Sequence, residues 1–268
     1  MTKDISNNYL DFNQQFWDNA VAPHVESDFY DVPRFLETKN SLNQVEMDQL
    51  GDVAGKTLLH LQCHFGMDSL SWAHKGAAVT AVDFSEVAIK QANELSLQTG
   101  IAADFIHSDI YALPKHLDQQ FDVVFTSYGT IIWLPDLDRW AKVIADRLKP
   151  GGEFHIVDFH PVQQMLGEKE AKFQYPYFNT EPIVEDEEGS YANEGEKKTR
   201  TIVSWNHSFS ETFDALWANG LEIVQFDEFD YSPYNCFANL VESAPGKWQV
   251  KGLQGMLPMV YGLKAIKL

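Results

Sequence analysis

Short apolar runs and helix-like segments alternate along the middle of the chain, between residues 57 and 157. Each apolar run has four or five residues, which is too short for a helix and typical of a buried strand. Strands that alternate with helices indicate consecutive βα units and a mainly parallel sheet. The predicted strands are residues 57–61, 78–82, 104–107, 122–126 and 153–157.

Helical periodicity is clearest in residues 136–149. Apolar residues recur there at positions 137, 140, 141, 144 and 148, and Pro150 followed by two glycines ends the helix. A second helix is predicted to begin after Ser85, which has the side chain of a typical N-cap. A third covers about residues 210–219 and is closed by Gly220.

The segments on either side of this region have other patterns. Residues 1–50 mix aromatic and polar residues, which predicts a helical cap over the carboxyl ends of the strands. Residues 159–200 indicate an insertion, whose acidic run 185–188 is expected to form a solvated hairpin tip. Residues 221–229 and 258–266 have no helical pattern between them and predict an antiparallel pair at one sheet edge. We therefore expect a single domain over 1–268, with cap 1–50, core 51–158, insertion 159–200 and a closing helix and strands 201–268.

Composition places the chain among globular proteins and disfavours certain classes of binding partner. Hydrophobic residues make up 44% and charged residues 22%, as in an ordinary folded domain. The net charge of −19 repels phosphate backbones and anionic headgroups, so nucleic acid and membrane surfaces are not expected partners. Two distant cysteines, no apolar leader and no apolar run of membrane-spanning length favour a cytoplasmic protein. No spacing of His, Asp, Glu or Cys indicates a metal site.

The residues that follow the strands carry the chemical signal, because ligands of a parallel sheet bind beyond its carboxyl ends. Asp83 ends the second strand, about 20 residues after the first turn, where a carboxylate can accept hydrogen bonds from both hydroxyls of a ribose. Phe84 and Ile110 can cover an adenine ring, and Asp109 can receive its amino group. The alternatives are a helix cap for Asp83, a turn former for Asp109 and core packing for Phe84.

Together these segments resemble the class I S-adenosylmethionine-dependent methyltransferases. The resemblance rests on GKTLLHLQCHFG, GAAVTAVDFS, DFIHSDIYALP and the long segment from FDVVFTSYGT to HIVDFHP, which occur in the family's order and spacing. It implies an α/β fold, a Rossmann-like doubly wound sheet of seven strands, mostly parallel with an antiparallel last strand. It also implies S-adenosyl-L-methionine as cofactor. The expected cofactor residues are Gln62, Cys63, His64 and Gly66 for the methionine part, Asp83, Phe84 and Ser85 after the second strand, Asp109 and Ile110 after the third, and Ser127 after the fourth.

The first turn departs from the family's glycine-rich pattern. His60, Gln62 and His64 stand where an acid and two glycines are usual, and Gly66 is retained. The sequence LHLQCHFG resembles a variant of this turn in a bacterial subgroup. Side chains at 62 and 64 obstruct the close approach of a pyrophosphate, which disfavours a dinucleotide-dependent oxidoreductase. A non-catalytic nucleoside-binding or regulatory protein of the same fold remains the alternative. Cys63 is expected to be a small buried hydrophobe without a nucleophilic role.

Candidate substrate residues lie in the cap and after the later strands. His160 follows the fifth strand and is predicted to act as general base or substrate donor, with a structural role as the alternative. For His207 the alternative to substrate binding is a hydrogen bond at the entry to a helix. Tyr128 and Trp133 flank the loop after the fourth strand and can wall a dry pocket beside the cationic sulfonium, with packing of the loop as the alternative. The expected partner is a small-molecule methyl acceptor, and the protein is expected to be a monomer or homodimer. The predicted substrate residues are Trp17, Tyr30, Tyr128, Trp133, His160 and His207.

Overall fold

Seven strands form the central sheet of the protein. The structure is a computed structural model that describes residues 8–167, 171–179, 181–192, 199–237 and 239–268. The sheet strands are β1 (Thr57–Leu61), β2 (Ala78–Asp83), β3 (Asp104–His107), β4 (Phe121–Ser127), β5 (Leu148–Phe159), β8 (Leu221–Phe229) and β11 (Val260–Lys267). Two further pairs are β6 (Ile183–Glu188) with β7 (Thr199–Ser204), and β9 (Leu240–Ala244) with β10 (Lys247–Val250).

Helices precede and connect these strands. The cap holds α1 (Tyr9–Glu26), α2 (Val32–Thr38) and α3 (Gln44–Leu50). The core helices are α4 (Met67–His74), α5 (Glu86–Thr99), α6 (Leu137–Arg147) and α7 (Phe209–Ala218). Within the described ranges, no helix is long and apolar enough to cross a membrane.

The strand order β3-β2-β1-β4-β5-β11-β8 confirms the predicted fold class. Strands β1 to β5 pair in parallel, whereas β11 runs antiparallel to both β5 and β8. The predicted antiparallel pair is therefore correct, with β8 at the edge. Because parallel strands end at the same side, the turns after β1, β2, β3 and β4 meet at one edge of the sheet.

The periodic apolar residues of helix α6 form the face that packs against the sheet. Leu137, Trp140, Ala141 and Ile144 are buried against the sheet with Phe154. Each large apolar side chain buried in this way contributes about 1.5–3 kcal/mol. The helix ends at Arg147, two residues before the predicted end, because the residue before a proline is disfavoured in helical conformation and the chain here already enters β5.

The acidic run 185–188 lies in the body of β6, so the predicted hairpin tip was wrong. Glu185 pairs with Ile202 and Glu188 with Thr199 in an antiparallel ladder. Asn13 of α1 joins this hairpin to the cap: its side chain donates to the Val203 carbonyl at 2.8 Å and accepts from the Val203 amide at 2.9 Å. The β6–β7 hairpin therefore contacts the cap that faces the strand ends.

Candidate active site

A cavity of about 740 Å³ lies at the carboxyl ends of β1 to β4, between the sheet, the cap and the β6–β7 hairpin. Its size falls within the range of small-molecule sites. Most of the residues singled out from the sequence line it. They are Trp17, Tyr30, Gln62, Cys63, His64, Gly66, Asp83, Phe84, Asp109, Ile110, Ser127, Tyr128 and Trp133.

The turn after β1 adopts a glycine-like backbone without the usual glycines. Gln62 and His64 have φ of 55° and 50°, in the left-handed region that most side chains avoid. Two of the contacts that hold the strained turn are hydrogen bonds to neighbouring strand ends: the His64 amide donates to Asp83 Oδ2 at 2.8 Å, and Gln62 Nε2 donates to the Thr130 carbonyl at 2.8 Å. Gly66 is needed for another reason, since a Cβ there would lie 2.7 Å from the Phe105 ring.

Asp83 connects the turn to the second strand end. Its two oxygens accept from the amides of His64, at 2.8 Å, and Ser85, at 2.9 Å. Burial raises the pKa of Asp83 to about 6, although both amide hydrogen bonds favour the ionised form. Each carboxylate oxygen has a further lone pair, so these two bonds leave acceptor capacity for a ligand in the cavity.

Asp68 belongs to the same region of the cavity and was not predicted from the sequence. Its carboxylate accepts from the Ser41 hydroxyl at 2.6 Å and from Ser127 at 3.5 Å. Burial raises the pKa of Asp68 and so disfavours its ionised form, which a cationic ligand in the cavity would stabilise. Nearby, the Oε1 atom of Gln62 is buried without a hydrogen-bond partner. An acid in the first turn of the helix after β1 was the only sequence signal for this acceptor group.

Aromatic rings and histidines fasten the cap over the turn. Trp17 lies edge-on to His64 at 5.2 Å and to Trp133 at 5.4 Å between ring centroids. His24 of α1 hydrogen-bonds His64 Nε2 at 3.0 Å and the Ser190 hydroxyl at 2.9 Å. Burial lowers the pKa of His24 to about 4, so this connection is made by neutral imidazoles at neutral pH.

Asp158, at the end of β5, organises the loop that follows β4. Its carboxylate accepts from the Gly129 amide, from the Thr130 amide at 3.1 Å and from the Thr130 hydroxyl at 2.9 Å. This clamp fixes Tyr128, whose φ of 50° is left-handed. The loop that holds Tyr128 and Trp133 is therefore preorganised.

His160 does not reach the cavity, which corrects its predicted role as base or substrate donor. Its ring is buried against Phe209, Nδ1 accepts from the Val162 amide at 3.0 Å, and Nε2 lies 2.8 Å from Glu228 Oε1. The Val162 bond requires an unprotonated Nδ1, so Nε2 carries the proton and donates to Glu228. Both ring nitrogens are thus engaged in structural contacts.

His207 and Ser85 also lie outside the cavity lining. The Nε2 atom of His207 lies 2.8 Å from the Leu134 carbonyl, and its Nδ1 atom lies 3.0 Å from Glu211 Oε1. These contacts correspond to the alternative given for His207, a hydrogen bond at the entry to a helix. The Ser85 hydroxyl accepts from the Ala88 amide as N-cap of α5 and donates to Asp18. The Nε2 atom of His207 and the hydroxyl of Ser85 are therefore engaged within the fold.

The cavity is strongly acidic. Arg34 is the only lysine or arginine among the described residues that line it. Such a lining favours a ligand with positive charge and repels a pyrophosphate. The lining carboxylates are Asp31, Asp68, Asp83, Asp109, Glu185, Glu187 and Glu188.

Comparison with known proteins agrees with the geometry. Residues 58–152 match the family model described as a methyltransferase domain. The ubiquinone biosynthesis O-methyltransferase of Pseudomonas paraeruginosa is 30% identical over 121 residues, 45% of this chain and 52% of that protein. The corresponding protein of Azotobacter vinelandii is 32% identical over 116 residues, 42% of this chain and 50% of that protein. The chain thus spans about half the length of these curated relatives.

Solved structures show the same fold over more of the chain. An S-adenosylmethionine-dependent methyltransferase from Mesorhizobium loti superposes with a TM-score of 0.58 at 22% identity, covering 83% of this chain and 96% of that one. At this identity the likeness establishes the fold. Residues 58–152 thus match a methyltransferase domain, and they lie within a fold that the chain shares with an S-adenosylmethionine-dependent methyltransferase.

Proposed function

We propose that the protein transfers a methyl group from S-adenosyl-L-methionine to a small-molecule acceptor by in-line displacement. The observation that carries the proposal is the pairing of Asp83, at the end of β2, with a side-chain-filled turn after β1 in an acidic cavity. A cationic nucleoside fits this arrangement, whereas a dinucleotide would bring its pyrophosphate against carboxylates.

The residues present fit this cofactor. Asp83 would accept from the ribose hydroxyls, while Asp109, Phe84 and Ile110 would hold the adenine. At the other end the cofactor carries an ammonium group, and the buried, unpartnered Oε1 of Gln62 is an acceptor that such a donor would satisfy. Asp68 would supply the opposite charge.

Catalysis would rest on positioning and on exclusion of water. The bound cofactor supplies a methyl group on a positively charged sulfur, already activated for displacement. Trp17 and Trp133 line the cavity from the cap and from the loop after β4. Their faces would shield the sulfonium, and the cap would hold the acceptor in line.

Parts of the chain outside the matched segment would contribute to selection of the acceptor. The cap, residues 1–50, and the insertion, residues 159–200, both contribute lining residues. Because the cavity lies under these elements, a small molecule fits it better than a folded protein. The family match ends at residue 152, so the oxygen acceptors implied by the relatives' names are not transferred to this chain.

Calorimetry on the purified protein tests the cofactor. We expect S-adenosylhomocysteine to bind and NAD to show no binding; the reverse result would refute the proposal. Radiolabelled S-adenosylmethionine with a panel of phenols, amines and thiols then tests transfer. Nucleoside binding without transfer to any acceptor would favour the non-catalytic alternative.

A further inference from the structure

A buried carboxyl group lies directly behind the cavity wall. Glu46 in α3 is fully buried and is not among the lining residues. One of its oxygens, Oε1, completes a capping box by accepting from the Asn43 amide at 3.1 Å. The other, Oε2, accepts from the Tyr128 hydroxyl at 2.8 Å. The capping box explains Oε1 but gives no reason for the contact with Tyr128.

Tyr128 connects this carboxyl to the cavity. It lines the cavity at the end of β4, beside Tyr234, whose ring centroid is 4.9 Å away. Its backbone is held in the left-handed region while its amide donates to the Val157 carbonyl at 2.8 Å. Strain maintained at a cavity-lining residue is typical of functional positions. The phenol oxygen keeps a lone pair after donating to Glu46, so it can still accept a proton.

We propose that Tyr128 is a catalytic residue that takes the proton of the methyl acceptor and passes its own proton to Glu46. The inference rests on the proposed function and deepens it, since it assigns an acceptor with a neutral O–H or N–H group. An acceptor that is already anionic would not need the relay.

The step balances as follows. A lone pair of the acceptor forms the new bond to the methyl carbon, and the electrons of the broken sulfur–carbon bond stay on sulfur as a neutral thioether. The acceptor proton moves to the Tyr128 oxygen as the Tyr128 proton moves to Glu46 Oε2. Glu46 ends as a neutral carboxylic acid, which releases its proton to solvent after product leaves.

The surroundings of Glu46 suit a proton acceptor near neutral pH. Burial, together with the charge of Asp68, raises the pKa of Glu46 to about 7 despite the hydrogen bond from Tyr128. The other titratable groups whose pKa Glu46 influences are Tyr128, Tyr231 and Tyr234, and burial raises the pKa of all three, so they stay protonated. A base works best when its pKa lies close to the working pH.

Two substitutions separate catalysis from structure. Glu46→Gln keeps a carbonyl oxygen for the capping box but cannot take up a proton, and Tyr128→Phe keeps the ring but removes the relay. Matched controls lie outside the cavity: Glu228→Gln removes a carboxylate, and Tyr261→Phe removes a buried hydroxyl that has no hydrogen-bond partner. All four variants are first compared with the wild type by thermal unfolding and by S-adenosylhomocysteine binding.

The kinetic test uses two probe acceptors, catechol with protonated hydroxyls and thiophenol with a largely ionised sulfur. We expect Glu46→Gln and Tyr128→Phe to lower kcat with catechol by about 10²- to 10⁴-fold and to leave kcat with thiophenol within about threefold. The wild-type kcat with catechol should rise as the pH increases through about 7, following the pKa of Glu46. Glu46→Gln should abolish this rise. Equal losses with both probes, or no loss with catechol, would overturn the proposal.

Infrared difference spectra test the pairing of Glu46 with Tyr128 if neither probe is methylated. We expect a protonated carboxyl band at pH 6 that is lost by pH 8, with a midpoint near the Glu46 pKa of about 7. It should be absent in Glu46→Gln, and in Tyr128→Phe its midpoint should be higher because a donor to the carboxylate is gone. If the midpoint of this band were the same in Tyr128→Phe as in the wild type, the pairing of Glu46 with Tyr128 would be overturned. Failure of the proposed function is distinguishable, since it appears in the wild type as absent S-adenosylhomocysteine binding or as absence of transfer to every acceptor in the panel.

Discussion

Replacing Asp83 by asparagine separates the binding role of this residue from its structural role. The carboxylate is buried and accepts two backbone amides, from His64 and Ser85. Asparagine has the same shape and keeps one carbonyl oxygen. Its amide group turns a donor toward one of the two N–H groups, so a single amide loses its partner. The variant also removes the buried charge.

These two effects oppose each other in the free energy of unfolding. Burial raises the pKa of Asp83 from 3.8 to about 6. This difference corresponds to a net penalty of about 3 kcal/mol on the ionised carboxyl in the folded protein. The amide left without a partner costs about 1–3 kcal/mol. We therefore expect Asp83→Asn to change stability by less than about 2 kcal/mol.

Cofactor binding should respond differently, because the ribose hydroxyls would lose charge-assisted acceptors. Two such bonds at about 1.5–3 kcal/mol each predict at least a tenfold weaker affinity for S-adenosylhomocysteine. In the wild type the affinity should also fall as the pH drops through about 6, where Asp83 gains a proton. The asparagine variant should lack this dependence. Since the folded pKa lies above the unfolded value, Asp83 contributes stability as the pH falls from about 6 to about 4, and the variant should lose that gain as well.

Calorimetry and urea unfolding on the same samples check both expectations. Asp122→Asn is the matched control: Asp122 lies outside the cavity, and the Lys149 ammonium and Thr57 hold its pKa down at about 2. The control should lose stability and keep its affinity. If Asp83→Asn instead lost several kcal/mol of stability and bound the cofactor normally, Asp83 would be only an anchor of the turn.

Three further predictions concern other parts of the chain. His160→Ala should lose about 1–3 kcal/mol of stability, because the Val162 amide loses its partner, while kcat stays within about twofold in a methylation assay. Residues before about Ser41, which include α1, should gain protection from hydrogen exchange when cofactor and acceptor bind; complete protection without ligand would make the cap a fixed layer. Burial lowers the pKa of His24 from 6.5 to about 4, so the folded protein takes up protons less readily than the unfolded chain. Its contribution to stability is lost as the pH falls from about 6.5 to about 4, by about 2 kcal/mol at pH 5, and His24→Gln should flatten this slope in urea titrations.

The sequence predicted the central strands β1, β2, β4 and β5 well because they are largely buried on both faces. Continuous apolar runs such as residues 57–61 have few other structural explanations between helical segments. The insertion was harder, because β6 carries four consecutive acids and its residues are only partly buried. A strand with neither face buried lacks the apolar alternation that identifies a half-buried strand, so the acidic run was interpreted as a turn. The β9–β10 pair was missed for the same reason, since its first strand is largely exposed.

The site was predictable only where topology alone brings residues together. Parallel strands end at one edge, so Asp83, Asp109 and Tyr128 could be grouped without knowing any long-range contact. His160 follows a strand too, yet β5 is bordered by the antiparallel β11, and its ring packs toward α7 and β8. Glu46 and Asp68 lie on helices, where no periodic pattern distinguishes an acid that faces a cavity from one that faces water.

In the first turn, the side chains that replace the usual glycines make contacts of their own. Left-handed conformations at Gln62 and His64 cost free energy that glycines would avoid. In return, each side chain makes a contact that glycine could not: Gln62 reaches the Thr130 carbonyl after β4, and His64 reaches His24 in the cap. The turn that would hold the methionine end of the cofactor is thereby connected to the loop after β4 and to the cap. Any movement of the cap that releases His24 removes one of the contacts that hold the strained turn, so cofactor binding and cap closure share a common element.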